Sequence, residues 1–227
     1  MRNMKLLESL CVVLGKSADI FQFRSFRRQH DLRPITAEEL TQPHGNGGFE
    51  RFGLTEKLEE RLGIILYSTR GESLEAVVGQ RLRLKQYTIA TAESCTGGLQ
   101  AQRITEISGS SDYFAGGVVS YTNEAKIQWL GVQREAIDRH GPVSGEVAEE
   151  MAMGVRDMAG ASIGVSVTGI AGPGGGSDAV PVGTVYIGLA NESGAMHKRV
   201  ILPGDRHLVR WRASTSALEL VRRNYLV

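Results

Sequence analysis

Cysteine, proline and aromatic residues are scarce in this chain, and neither sign of charge dominates it. Two cysteines, Cys11 and Cys95, are too few for a disulfide framework, and no Cys-x-x-Cys or Cys/His spacing offers a zinc site. Lys and Arg number 26 against 25 Asp and Glu, so no global field draws the protein to nucleic acid, an anionic membrane or acidic partners. No apolar run approaches the ~20 residues of a membrane span. The apolar stretch 10–14 is short, follows Glu8 and leads to no small-residue cleavage site, which argues against a signal peptide. These absences leave a cytoplasmic globular protein that must meet any substrate charge locally.

Glycine is what the chain has in excess: 28 of 227 residues, well above the typical usage of ~7%. Most of that excess lies in a few clusters, where backbone is expected to approach a ligand. The 41% hydrophobic content suffices for one full domain plus an appendage. Residues 1–48 show no sustained period and end in the linker-like Pro43-His44-Gly45-Asn46-Gly47-Gly48. Phe21, Phe23 and Phe26 interleave there with Arg24, Arg27 and Arg28. Such a run can stack on single-stranded nucleic acid, but it is more often an ordinary amphipathic surface, and no nucleic-acid partner is expected.

Helical spacing of apolar residues appears over 54–62 and 73–84, the latter with Leu74, Val77, Val78 and Leu82. Residues 87–92 read as a strand, followed by a tight glycine turn and a helix with Ala101, Ile104 and Ile107 on one face. A second strand over 117–122 enters a short helix capped by Asn123. A longer helix follows Ser144 and buries Val147, Met151, Val155 and Met158. A third strand over 162–168 opens into the glycine-rich loop 169–177. Residues 182–190 and 196–202 flank a turn and read as an antiparallel hairpin. Asp205 caps a last helix with the stripe Leu208, Trp211, Thr215, Leu218 and Val221. The expected fold is an α/β layered domain, α/β/α, with a mixed central sheet.

Ser94 and Thr96 stand between a strand and a helix N-terminus, where backbone N–H groups favour developing negative charge. A serine at its free pKa is a poor nucleophile and needs a base nearby. Lys126, after the second strand, becomes such a base if burial lowers its pKa. His140 has a better intrinsic pKa but sits at what looks like a surface helix end, and Glu93 points away from Ser94 if the strand continues. Cys95 is the alternative nucleophile, though a lone cysteine at a strand end is more often a small buried residue. Each of these has an ordinary counterpart: Ser94 or Thr96 as a helix cap, Lys126 as a solvated helix residue, the 169–177 loop as a tolerant turn. That loop matches neither the Walker pattern nor Gly-x-Gly-x-x-Gly, which argues against a P-loop ATPase and a standard dinucleotide fold.

Four segments, Ala92-Glu93-Ser94-Cys95-Thr96-Gly97-Gly98, Ser120-Tyr121-Thr122-Asn123-Glu124-Ala125-Lys126, Thr168-Gly169-Ile170-Ala171-Gly172-Pro173 and Pro181-Val182-Gly183-Thr184-Val185, resemble in order the motifs of the CinA C-terminal domain family. The resemblance covers residues 72–227. It implies a nicotinamide-nucleotide amidase that hydrolyses the carboxamide of nicotinamide mononucleotide to the acid and ammonia, with no metal or cofactor. It implies Ser94 as nucleophile, Lys126 as base and Tyr121 as an aid to proton transfer. Backbone around Thr96, Gly97 and Gly98 would stabilise the oxyanion, and Thr168, Gly169, Gly172, Gly174 and Arg206 would hold the nucleotide. Self-association into a homo-oligomer is a further implication. The competing implication is a non-catalytic nucleotide-binding or partner-binding module. Long members of the family carry a molybdopterin-binding-like domain before a small linking domain. Residues 49–71, with Leu58-Glu59-Glu60-Arg61-Leu62-Gly63, resemble the tail of the linking domain. A shortened form with an unfamiliar first segment is therefore expected, and the pyrophosphatase activity associated with the first domain is not carried over.

Overall fold

The computed structural model describes residues 67–68 and 72–226. The chain divides into two compact units, Met1–Val77 and Val78–Val227. The expected 54–62 helix and the aromatic-basic run at 21–28 lie outside the described residues.

Helix α1 (Leu74–Lys85) leads into strand β1 (Ile89–Glu93), helix α2 (Leu99–Thr105) and strand β2 (Phe114–Val119). Helices α3 (Asn123–Leu130), α4 (Arg134–His140) and α5 (Gly145–Ala159) precede strand β3 (Ile163–Gly169). The hairpin β4 (Thr184–Asn191) and β5 (Gly194–Ile201) comes next, and α6 (Arg206–Tyr225) closes the fold. The sheet order is β2-β1-β3-β4-β5, with β1 parallel to both β2 and β3 and the hairpin antiparallel, so the sheet is mixed as expected.

Because β1 lies between β2 and β3, the chain reverses its direction of winding there, and right-handed crossovers send α2 and α5 to opposite faces. The alternation of side chains along β1 reflects this. Ala90 and Ala92 pack in one cluster with Leu130, Val132, Ile137, Val147, Met151 and Val155, on the face covered by α3, α4 and α5. Ile89, Thr91 and Glu93 therefore face α2. Val147, Met151 and Val155 of α5, all fully buried, each contribute roughly 1.5–3 kcal/mol of apolar burial. Sheet and helix meet closely: a Cβ at Gly164 or Gly188 would lie 2.0 Å from the Ala152 carbonyl oxygen or 2.1 Å from that of Ala148.

Four local expectations are corrected. Thr122, not Asn123, caps α3, its hydroxyl accepting from the Ala125 N–H at 3.1 Å. Met158 is exposed, although Ala159 beside it packs against the core cluster. The inward face of α2 is Gln100, Arg103 and Ile104, with Ala101 only half-buried. Arg103 reaches α6, where its guanidinium lies 4.1 Å from the Trp211 ring centroid and donates to Thr215 at 2.9 Å. On α6 the buried side chains are rotated about one position from the expected stripe, to Val209, Ala213, Ala217, Leu218 and Val221.

Candidate active site

Ser94 succeeds the last residue of β1 and continues its register, its N–H donating to the Val167 carbonyl on β3 at 2.9 Å. The same alternation that carries Ala90 and Ala92 points Ser94 toward the α3 face. The chain then turns sharply. Gly97 and Gly98 have φ values of 59° and 95°, a left-handed backbone that residues with a Cβ adopt at a cost, so the Gly-Gly pair is what this turn requires.

Lys126 enters from α3, one turn beyond the Thr122 cap. Its Nζ lies 3.3 Å from Ser94 Oγ and 3.1 Å from the Ser120 carbonyl oxygen, to which it donates. The lysine is 2% exposed and Ser94 9%, so the pair lies at the inner edge of the surface. Among the described residues no carboxylate pairs with this amine. Burial lowers its pKa below the ordinary 10.5. A neutral amine in this position keeps one N–H on the Ser120 carbonyl and turns its lone pair to the serine hydroxyl.

The Cys95 thiol is pushed up to about 12 by burial, its own backbone N–H and nearby charges acting on a smaller scale. It stays protonated at neutral pH, which disfavours the alternative nucleophile. His140 ends α4 and lies 3.6 Å from Glu146, on the surface as expected.

A second group of expected residues gathers beside the pair. Arg206, the first residue of α6, donates from NH2 to the Tyr121 hydroxyl at 2.7 Å and from NH1 to the Gly172 carbonyl at 2.8 Å. Ser120 and Tyr121 are consecutive, so one segment supplies the acceptor for Lys126 and the partner of Arg206. Tyr121 is exposed. Thr168 turns its hydroxyl to the Pro142 carbonyl at 2.8 Å. Within the loop, a Cβ at Gly169 or Gly172 would each meet a valine side chain at 2.7 Å, that of Val185 or Val182, while Gly174 faces open space. Two of the three named loop glycines thus have a packing reason, and only Gly174 is free for a ligand's approach.

Two contacts behind the turn are missed by the sequence reading. Glu93 points away from Ser94, as expected, and there accepts three backbone N–H groups at the start of α2. Gly98, the residue before that helix, offers no side-chain cap, and this vacancy was the signal. Arg210 donates from Nε and NH2 to the Thr96 carbonyl at 3.2 and 2.6 Å. It lies one helical turn after Arg206 and so on the same side of α6. Among the described residues no three His, Cys, Asp or Glu side chains converge as a metal-binding set, and no helix is long and apolar enough to cross a membrane.

The Ser-Lys pair sits at the carboxyl ends of the three parallel strands, where open α/β sheets place their ligands. Comparison with known proteins agrees in fold and in sequence. The chain is 48% identical over 167 residues to a putative competence-damage inducible protein of Moorella thermoacetica, covering 74% of this chain and 40% of that one. It is 47% identical over 173 residues to a CinA-like protein of Koribacter versatilis, covering 76% and 42%. The matched part thus spans about two-fifths of these curated relatives. Among solved structures, the competence damage-inducible protein A of Klebsiella pneumoniae superposes with a TM-score of 0.65 at 34% identity, over 66% of this chain and 94% of that one. A competence/damage-inducible protein of Agrobacterium tumefaciens gives 0.63 at 37% identity, over 67% and 96%. A family profile described as the CinA C-terminal domain matches residues 71–225, and the chain belongs to that family.

Proposed function

We propose that the chain is an amidohydrolase acting on nicotinamide mononucleotide, with Ser94 as nucleophile and Lys126 as general base. The observation that carries this reading is the buried amine of Lys126, 3.3 Å from Ser94 Oγ and without a carboxylate partner among the described residues. Ser94 Oγ attacks the carboxamide carbon while its proton moves to Lys126, and the carbonyl electron pair moves onto oxygen. Collapse of the tetrahedral intermediate expels the amino group, which takes the proton from Lys126 and leaves as ammonia. Water then attacks the acyl-serine, giving its proton to Lys126, and the carboxylic acid departs as Ser94 recovers its hydrogen.

Arg206 is the phosphate partner in this reading, since a planar guanidinium that now bridges Tyr121 and Gly172 can present the same fork to a phosphate. Tyr121 is thereby set at the same edge, beside Ser120, where it assists proton transfer. Gly174 supplies backbone along the nucleotide, while Thr168, Gly169 and Gly172 hold the loop that presents it.

The test is ammonia release from nicotinamide mononucleotide by wild type, Ser94→Ala and Lys126→Ala, each checked for folding by circular dichroism. Each substitution is expected to lower kcat by roughly 10³-fold or more. Undiminished turnover in either variant removes that residue from the mechanism. Tight calorimetric binding of the mononucleotide by wild type with no product formed would instead favour a binding module.

A further inference from the structure

Glu93 is 1% exposed, and the amidase mechanism makes no use of it. Its Oε2 accepts the N–H groups of Gly98 at 2.9 Å and Gln100 at 3.0 Å, and its Oε1 that of Ala101 at 2.8 Å. These are the amides that open α2 and that would otherwise lack partners. The Gly97 N–H returns to the Ser94 carbonyl at 3.1 Å. On the far side of the same turn, Arg210 holds the Thr96 carbonyl. Of the amides after the nucleophile, only two are left over. The Thr96 N–H has no acceptor among the described residues, and that of Cys95 meets only its own sulfur, a weak acceptor.

We propose that Glu93 is a positioning residue: by drawing the amides of Gly98, Gln100 and Ala101 onto its carboxylate, it leaves those of Cys95 and Thr96 to form the oxyanion hole. This rests on Ser94 being the nucleophile. The oxygen of a carbonyl attacked by Ser94 develops its charge where unpaired backbone N–H groups can donate to it, and the residue after a nucleophile is a recurrent donor. Of the three residues whose backbone the family resemblance implies for the oxyanion, Thr96, Gly97 and Gly98, the N–H groups of Gly97 and Gly98 already have acceptors. The role of these two glycines is to let the backbone turn. A Gln at position 93 keeps the shape but presents an NH2 group to at least one backbone N–H, so the turn must shift.

The experiment uses the full chain carrying Glu93→Gln. One readout is kcat and KM for nicotinamide mononucleotide across pH. Another is the rate at which a small fluorophosphonate modifies Ser94, measured by intact mass. In that step the Ser94 Oγ–P bond forms, fluoride leaves and the serine proton passes to Lys126, so no nucleotide is needed. Both kcat and the modification rate are expected to fall at least about tenfold, since a single lost oxyanion donor costs about 10²–10³-fold. KM should stay within about twofold, with the Lys126 limb of the pH profile unmoved. An unchanged rate, a displaced limb, or a loss matched by the fraction unfolded would each overturn the proposal.

Should the variant not fold, wild type bound to an aryl boronic acid decides the matter, because boron takes Ser94 Oγ and becomes a tetrahedral anion. In amide NMR spectra the Cys95 and Thr96 signals should then shift most, whereas dominant shifts at Gly97 and Gly98 would overturn the assignment. Phosphonylation of Ser94 without turnover of the mononucleotide sinks the substrate reading alone, and the Glu93 comparison still stands on modification rates. A Ser94 inert to both reagents sinks both proposals.

Discussion

A lysine that takes a proton from serine has to be neutral part of the time, and burial favours the neutral form of Lys126, the proposed base, at a cost to the fold. Its folded-state pKa lies below the ordinary 10.5 because burial disfavours the ammonium. Between that lowered value and 10.5 the unfolded chain binds more protons than the folded one, so stability rises with pH across the window. Below the folded value the penalty is fully present, and above 10.5 it is gone. Replacing the amine by an apolar side chain of similar length removes the penalty at every pH. Lys126→Met is therefore expected to raise Tm by about 2 °C or more at neutral pH while abolishing turnover. The difference in Tm between variant and wild type should shrink as pH climbs toward 10.5, as thermal scans in a pH series will show. A variant less stable than wild type at neutral pH would mean that the Lys126 bonds to Ser94 and Ser120 outweigh its desolvation. For wild type, the same lowered pKa places the rising limb of kcat/KM below the range of an ordinary lysine.

At the scale of elements, α3 carries Lys126, the proposed base, and α5 packs against the end of α3. A Cβ at Gly154 of α5 would come 1.9 Å from the Leu130 carbonyl oxygen, and Leu130 is one turn after Lys126. Backbone atoms cannot give way as a side chain end can, so Gly154→Ala must displace the end of α3. The expected result is a loss of about 1–3 kcal/mol in stability, together with a fall in kcat of about tenfold or more as the amine moves off Ser94. Gly188→Ala is the comparison: its Cβ would meet the Ala148 carbonyl oxygen at 2.1 Å, between α5 and β4, away from α3. Urea titrations should show both variants destabilised, with kcat reduced far more at position 154. Contacts of this kind explain why the elements were legible in the sequence and their edges were not. The apolar period of Val147, Met151 and Val155 is local, whereas whether Met158 is covered depends on what other elements bring to the end of α5. The polar inward face of α2 likewise depends on what α6 brings to Arg103, namely Trp211 and Thr215. Thr122 and Asn123 are both competent caps, and only the backbone path distinguishes them.

At the scale of the molecule, Ser94 and Lys126 are 32 positions apart, and sheet order brings them together: β1 and β2 are parallel neighbours, so the segments leaving their C-terminal ends emerge at the same edge of the sheet. Motif resemblance named both residues, but their distance, the burial of the amine and the carboxylate of Glu93 behind the turn are properties of the packed sheet. Every residue of the candidate site, from Glu93 to Arg210, lies within residues 78–227, the second compact unit. Helix α1 crosses the boundary of that unit, so a cut that spares the domain has to fall before Leu74. The solved relatives point to the same place. The matched region accounts for 94% of the solved Klebsiella pneumoniae chain and 96% of the solved Agrobacterium tumefaciens chain, so those chains hold little else. A fragment of residues 72–227 is therefore expected to fold cooperatively and to keep kcat and KM within about twofold of the full chain. Paired ammonia-release assays and thermal scans of the two proteins check this. A fragment that folds with its Tm unchanged but loses turnover would show that residues 1–71 contribute to the substrate site, a role that no step from serine attack to acid release requires.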